Sequence, residues 1–186
     1  MPPNRNPREM AMRETRLETE RLVMRMFRAD DFDAYARMLA DPEVTRYLNE
    51  GLPLDRRAAW RNMLYQVGHW AVCEYGNWAV EEQATGRFVG RVGLAHPEGG
   101  PGHKLGWTVA REQWGRGYAT EAARRALDYA FAELPACERV VASIDPDNAA
   151  SIKIAERLGM RLEGRGELCG RETLIYGVAR GAGGGA

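Results

Sequence analysis

Cysteine, histidine and net charge are all scarce in this chain, and each scarcity narrows its function. The 186 residues hold three cysteines (Cys73, Cys137 and Cys169) and three histidines, with no Cys-x-x-Cys pair and no Cys/His cluster. That argues against a structural zinc site, no other metal is expected, and the thiols read as buried and free in a reducing compartment. The 26 basic and 26 acidic residues cancel, so no bulk field draws the protein to nucleic acid or to a membrane; only local patches remain. No apolar run nears the roughly 18 residues of a membrane span, and no basic start leads into an apolar core, so the expected compartment is the cytoplasm. Gly-Lys-Ser/Thr never follows a glycine run, which removes a Walker phosphate loop.

What is present is a chain of 45% apolar and 28% charged residues, the balance of one globular domain with a real core. Residues 1–16 are polar, with three prolines and four arginines, and 181–186 are glycine and alanine. Both read as flexible ends around a single domain over 17–180. Within it, Leu22–Phe27 suggests a strand. A helix follows, capped by Asp30 or Asp31, burying Phe32, Tyr35, Met38 and Leu39, and stopping before Asp41-Pro42. Val44–Leu48 reads as a short helical piece. Asp55 to Val72 carries Trp60, Met63, Leu64, Val67 and Ala71 at helical spacing. The period then changes: Trp78–Glu82, Phe88–Leu94 and Leu105–Val109 predict an antiparallel meander. Ala119, Ala122, Ala123, Ala126, Leu127, Ala130 and Phe131 mark the strongest helix. A strand at Arg139–Ile144, a helix capped by Asp147 or Asn148 and closed by Gly159, and strands near Met160–Glu163 and Glu172–Val178 complete the order.

The most informative segment joins the fourth predicted strand to the strongest helix: Trp114-Gly-Arg-Gly-Tyr-Ala-Thr120. A strand turning through two glycines into a helix start gathers unpaired N–H groups at the positive end of the helix dipole, a place suited to a pyrophosphate. The dinucleotide fingerprint fits poorly, because Thr120 stands at its third glycine and the preceding strand belongs to a meander.

In this order of elements, Trp114-Gly-Arg-Gly117-Tyr-Ala119 resembles the Gln/Arg-x-x-Gly-x-Gly/Ala loop of the GNAT superfamily of N-acetyltransferases. Asp147-Asn148-Ala-Ala-Ser151, ending in Leu158-Gly159-Met160, is similar to that family's Asn-x-x-Ser helix and Leu-Gly-Phe close. Glu20-Arg21-Leu22, Asn77-Trp78-Ala79 and Gly106-Trp107 look like its RimJ/RimL branch. The resemblance covers about residues 18–178. It implies an α+β fold (α/β/α layered), with a mixed, mostly antiparallel sheet of about seven strands and about four helices. It also implies acetyl-CoA as co-substrate and transfer of its acetyl group to a primary amine, on a protein N-terminus or a small molecule. Family members are often dimers, so a homodimer is possible. On this resemblance, main chain from Trp107, Thr108 and Val109 pairs with the pantetheine arm, and the turn formed by Trp114, Gly115, Arg116, Gly117, Tyr118, Ala119 and Thr120 takes the pyrophosphate. Asn148 and Ser151 contact the arm, Ser151 protonating the departing thiolate. Arg111 or Arg116 reaches phosphate, or is a solvated charge. Asn148 has a second reading as a plain helix cap, and Ser151 as a solvent-facing serine.

Two departures stand out. Trp114 replaces the usual Gln or Arg, and Lys104 stands where such proteins often carry a glutamate assigned as base. Neutralising an α-amino group at pH 7 costs about 1 kcal/mol and a lysine about 4.6 kcal/mol. The first suits water or a weak base; the second requires a positioned carboxylate or histidine. Loss of the glutamate therefore tilts the acceptor towards α-amines or similarly acidic amines. Glu167, His69, His96 and His103 are the candidate bases, and Tyr47, Trp60 and Trp78 either line an acceptor pocket or pack in the core. Lys104 also motivates an alternative, a catalytically silent acyl-CoA-binding sensor or docking module.

Overall fold

A computed structural model describes residues 15–48, 51–96, 102–168 and 170–181. Eight strands form one sheet in the order β1-β2-β3-β4-β5-β6-β8-β7. They are β1 (Leu17–Glu18), β2 (Leu22–Arg25), β3 (Asn77–Glu82), β4 (Phe88–Ala95), β5 (His103–Val109), β6 (Arg139–Ile144), β7 (Arg161–Leu168) and β8 (Arg171–Ala179). The helices are α1 (Phe32–Ala40), α2 (Pro42–Thr45), α3 (Arg56–Cys73), α4 (Tyr118–Glu133) and α5 (Ala149–Arg157). All neighbouring strands run antiparallel except β5 and β6. The fold is the expected α+β layering with one strand and one helix more than expected. Both are small: β1 has two residues, and α2, the short helical piece expected at Val44–Leu48, is a single turn placed earlier at Pro42–Thr45 and capped by Asp41, whose carboxylate accepts from the Glu43 N–H.

Strand alternation sorts side chains to two faces. One face, with Trp78, Val80, Val92, Leu94, Leu105 and Val109, packs on the alanines of α4 (Ala122, Ala123, Ala126 and Ala130), all buried. Alanine there lets the helix axis approach the sheet closely. On the other face Phe27, Ala79 and Ala110 meet Tyr35, Ala36, Met38 and Leu39 of α1 and Ala59 and Met63 of α3. A buried ion pair fixes the corner between β2 and α1: Arg25 holds Asp31 through both terminal nitrogens, at 2.8 and 2.7 Å, and also reaches Glu81. These acidic partners drive the Arg25 pKa further up, although burial opposes them.

Several expectations change. Helix α3 buries Ala59, Met63, Gln66, His69 and Trp70, whereas Trp60 and Leu64 are exposed. Trp60 packs edge-on against Phe32 at 4.9 Å, and Tyr47 lies under the Arg46 guanidinium. Trp78 is core, 5.1 Å from both the Trp70 and Tyr129 rings. The C-terminal strands are longer than expected because β7 and β8 form one hairpin ladder that carries Gly164 and Gly166 with it. At the N-terminal boundary, the Thr15 carbonyl accepts from the Trp78 indole at 3.1 Å, so residues 15 and 16 belong with the domain. The expected tails, apart from residues 15, 16 and 181, lie outside the described residues, as does Cys169. Cys137 is buried and free, Cys73 partly buried and free.

Candidate active site

The parallel pair β5–β6 is bridged only at His103↔Val140 and Lys104↔Val141. Beyond those positions β5 runs on to Val109 and β6 to Ile144 without pairing to each other. A sheet that splits at the carboxyl ends of two parallel strands opens a crevice, the usual place for a ligand in such sheets. The Ala110 N–H donates to the Val89 carbonyl on β4, and a Cβ at Gly90 would lie 2.2 Å from the Thr108 carbonyl oxygen. Main-chain groups of Thr108 and Ala110 therefore face β4, and alternation turns those of Trp107 and Val109 into the crevice. Thr108 drops out of the expected main-chain contacts for this reason; its hydroxyl instead sits 3.4 Å from an Arg91 nitrogen on the α1–α3 face.

Both helices that follow the split strands point their N-termini at its mouth. Gly115 and Gly117 adopt φ of 76° and 82°, which glycine enters without the penalty of a Cβ. Gly117 caps α4 with no side-chain hydrogen bond. The N–H groups of residues 115–120 donate to no oxygen among the described residues; the first internal bond is from the Glu121 N–H to the Gly117 carbonyl. Here lies a cradle of free amides at the positive end of a 16-residue helix. Trp114 is half exposed, and its indole is engaged with the Val109 carbonyl at 2.8 Å.

The cradle is braced from behind. Arg21 donates to the Arg116 carbonyl at 3.0 Å, pairs with Glu121 and lies over the Tyr118 ring. Tyr118 is buried, and its hydroxyl donates to Glu82 at 2.5 Å. Arg21 drew notice in the sequence only within Glu20-Arg21-Leu22 and Glu82 only as the end of a predicted strand, neither as a support for this turn. Hydrogen bonds from the Thr85 and Tyr118 hydroxyls hold Glu82 down from its ordinary 4.5 to about 2. A carboxyl that titrates lower in the folded chain than in the unfolded one stabilises fully above its ordinary pKa, and loses that effect as pH falls through its folded value. The melting-temperature gap between the wild type and Glu82→Gln is therefore expected to be widest above about pH 5 and to vanish near pH 2, as followed by circular dichroism. A gap independent of pH would contradict this role.

At α5, the Asn148 side-chain oxygen accepts from the Ser151 N–H at 3.1 Å. Its amide nitrogen donates to no described residue. The Ser151 hydroxyl accepts from the Trp107 indole at 3.1 Å and likewise donates to no described residue. Trp107 thus ties the tip of the split strand to the helix start across the crevice.

On the opposite face lies a cavity of about 310 Å³. Its lining includes Asn62, Gln66, Asn77, Arg91 and Lys104, with Gly93 and Gly106 on the sheet and Leu168 from the hairpin tip. None of the expected bases lines it. Both nitrogens of His69 are engaged, Nδ1 with the Tyr75 carbonyl and Nε2 with the His96 N–H. His103 packs edge-on against His96 and at a tilt against Tyr75, and burial, then the His96 charge, lowers its pKa. Glu167 is exposed opposite Glu172 on the hairpin. Among the described residues there is no cluster able to hold a metal ion, and no helix is long and apolar enough to cross a membrane.

Residues 21–161 match the model of a known family, the acetyltransferase (GNAT) domain. The uncharacterized N-acetyltransferase p20 of Bacillus licheniformis is 30% identical over 151 residues, which cover 80% of this chain and 83% of that one. The crystal structure of an acetyltransferase from Agrobacterium tumefaciens superposes with a TM-score of 0.78 at 31% identity, covering 88% of this chain and 94% of that chain. RimL, a ribosomal L7/L12 α-N-protein acetyltransferase solved with coenzyme A, shares the fold at a TM-score of 0.75 and 14% identity, covering 90% and 99%.

Proposed function

Because this chain belongs to the GNAT acetyltransferase family, which uses acetyl-CoA, we propose that it acetylates the α-amine of a small or terminal acceptor. The observation that carries the reading is the conjunction of a split sheet with six amides at its mouth that donate to no described residue. Residues 115–120 supply N–H donors to the pyrophosphate, and Arg111 and Arg116, both exposed beside them, add charge. The Trp107 main chain and the Val109 N–H line the crevice as a strand edge that no described strand pairs, for the amides of the pantetheine arm, whereas the Val109 carbonyl is taken by the Trp114 indole. The Asn148 amide nitrogen, which donates to no described residue, is placed to donate to the same arm.

When bound, acetyl-CoA supplies an activated acetyl thioester and leaves as the thiol. The chain's part is to hold that ester, to place an N–H of β5 where its carbonyl oxygen gains negative charge, and to present a proton to the sulfur. Ser151 fits the last task because its hydroxyl already accepts the Trp107 indole proton and keeps its own free to donate. Among the described residues, no carboxylate or histidine lines the acceptor cavity. Arg91 and Lys104 do, and like charge nearby disfavours an ammonium, so the acceptor loses its proton to water more readily. An α-amine, at about 1 kcal/mol from neutrality at pH 7, needs no more than that.

Titration with acetyl-CoA, then thiol release with a panel of amines, tests the reading. Saturable binding with turnover on α-amines ahead of lysine ε-amines is expected. No binding at millimolar ligand would remove it, and binding without thiol release on any amine would indicate an acyl-CoA sensor. Ser151→Ala is expected to lower kcat about 100-fold, the low edge for a positioned proton donor, and to leave acetyl-CoA affinity within about twofold. Unchanged kcat would take Ser151 out of the chemistry.

A further inference from the structure

We propose that the cavity between the sheet and α1–α3 selects an amine that also carries a carboxylate, with Arg91 as the group that binds it. The inference rests on the acetyl-transfer reading above and adds the acceptor's chemistry. Arg91 stands half-buried on β4 and lines the cavity. Its partners among the described residues are all neutral and all long: the Tyr35 hydroxyl at 3.3 Å, Asn62 Oδ1 at 3.2 Å and the Thr108 hydroxyl at 3.4 Å. Among the described residues it meets no carboxylate, whereas Arg25, which is buried, has two. A guanidinium carries five N–H donors in a fork matched to a carboxylate. Holding one partly out of water against weak neutral acceptors is unfavourable unless a ligand anion completes it.

The shape agrees with the charge. Gly93 and Gly106 face each other across β4 and β5, and a Cβ at Gly106 would meet nothing within 4 Å. The sheet floor is thus bare beside Trp107, where the acetyl group would be presented. Arg91 lies two residues along β4 from Gly93, about 7 Å at the rise of a strand, so amine and carboxylate would be held at the two ends of one residue-sized molecule. The volume of about 310 Å³ equals that of about ten waters, enough for an acidic amino acid, free or at the end of a polypeptide. Polyamines and aminoglycosides would set cations against Arg91 and Lys104.

Calorimetric titration of the full chain, with and without saturating coenzyme A, separates the possibilities. The probes are N-acetyl-L-glutamate, its α-amide and the uncharged N-acetyl-L-glutamine amide. At least one acidic probe is expected to bind about tenfold or more tighter than the neutral one. Arg91→Gln should erase that preference, Arg91→Lys should keep part of it, and both should bind acetyl-CoA like the wild type. Preference for both acidic probes points to an acidic polypeptide N-terminus as well as the free amino acid; preference for N-acetyl-L-glutamate alone points to the free amino acid. Equal binding of all three probes, or a preference that survives in Arg91→Gln at unchanged melting temperature, overturns the proposal. Failure of the acetyl-transfer reading shows separately, as absent acetyl-CoA binding, and the probe preference measured without coenzyme A still decides the role of Arg91.

Discussion

Acetyl-CoA affinity is expected to fall about tenfold in Gly117→Ala and about a hundredfold in Gly115→Ala/Gly117→Ala, with the domain still folded. Both glycines sit in the left-handed region, at φ of 76° and 82°, where an L-residue costs about 1–2 kcal/mol. Space is not the obstacle: a Cβ at Gly115 meets nothing within 4 Å, and one at Gly117 reaches only Arg21 Nη2 at 3.4 Å. Strain is. A turn that relaxes it rotates the amides of 115–120 away from their common point. Each hydrogen bond to a charged group is worth about 1.5–3 kcal/mol, and about 1.4 kcal/mol is tenfold in affinity, so losing one or two bonds gives the expected range. Gly86, at φ 67° in the β3–β4 turn with nothing near its Cβ position, is the control. Gly86→Ala should destabilise to a similar degree without changing acetyl-CoA affinity. Equal affinities in all variants would mean that the turn does not hold the anion.

Asp31→Asn is expected to destabilise the domain by about 3 kcal/mol, the lower end for removing one partner of a buried ion pair. For a chain of this size that lowers the melting temperature by roughly 6–12 °C. Arg25 and Asp31 are 4% and 5% exposed, so the uncompensated guanidinium cannot turn to water, and Glu81 offers only a partly exposed substitute. Asp31 also accepts from the Arg28 N–H at 2.7 Å, fixing the turn into α1. The effect should extend to the acceptor side, because α1 carries Tyr35, whose hydroxyl donates to Asn62 at 2.6 Å. Replacing both members, as in Arg25→Met/Asp31→Leu, should recover much of the loss, since an apolar pair leaves no buried charge behind. A melting temperature within about 2 °C of wild type in Asp31→Asn would contradict this account of the corner.

The meander, the glycine turn and α4 were legible because each is a strong local signal: alternation, paired glycines, and alanine at helical spacing. Helix α3 shows where local signals fail. Of its expected apolar face Met63 and Val67 do pack inward, but Trp60 and Leu64 are exposed and Gln66 and His69 are buried instead, because Gln66 bonds Asn62 and Asn77 and His69 bonds Tyr75 and His96. Periodicity ranks those residues as polar and cannot see partners supplied by other elements. Strand β7 was cut short for a related reason: Gly164 and Gly166 weaken the local strand signal, and the ladder with β8 overrides it. The proposed pyrophosphate turn could be read, but its brace could not, since Arg21 and Glu82 come from strands far away in sequence. Arg91 was missed because an arginine alternating on a strand looks like a solvated charge until α1 and α3 close over it.

Comparative titration with acetyl-CoA and with acetyl-pantetheine, which lacks the pyrophosphate, tests the central claim most directly when backbone amide resonances are followed by NMR. The expected result is binding at least about a hundredfold weaker for acetyl-pantetheine, with large shifts of the 115–120 amides on adding acetyl-CoA only. Equal affinities for the two ligands, or amides at 115–120 that do not move, would contradict it.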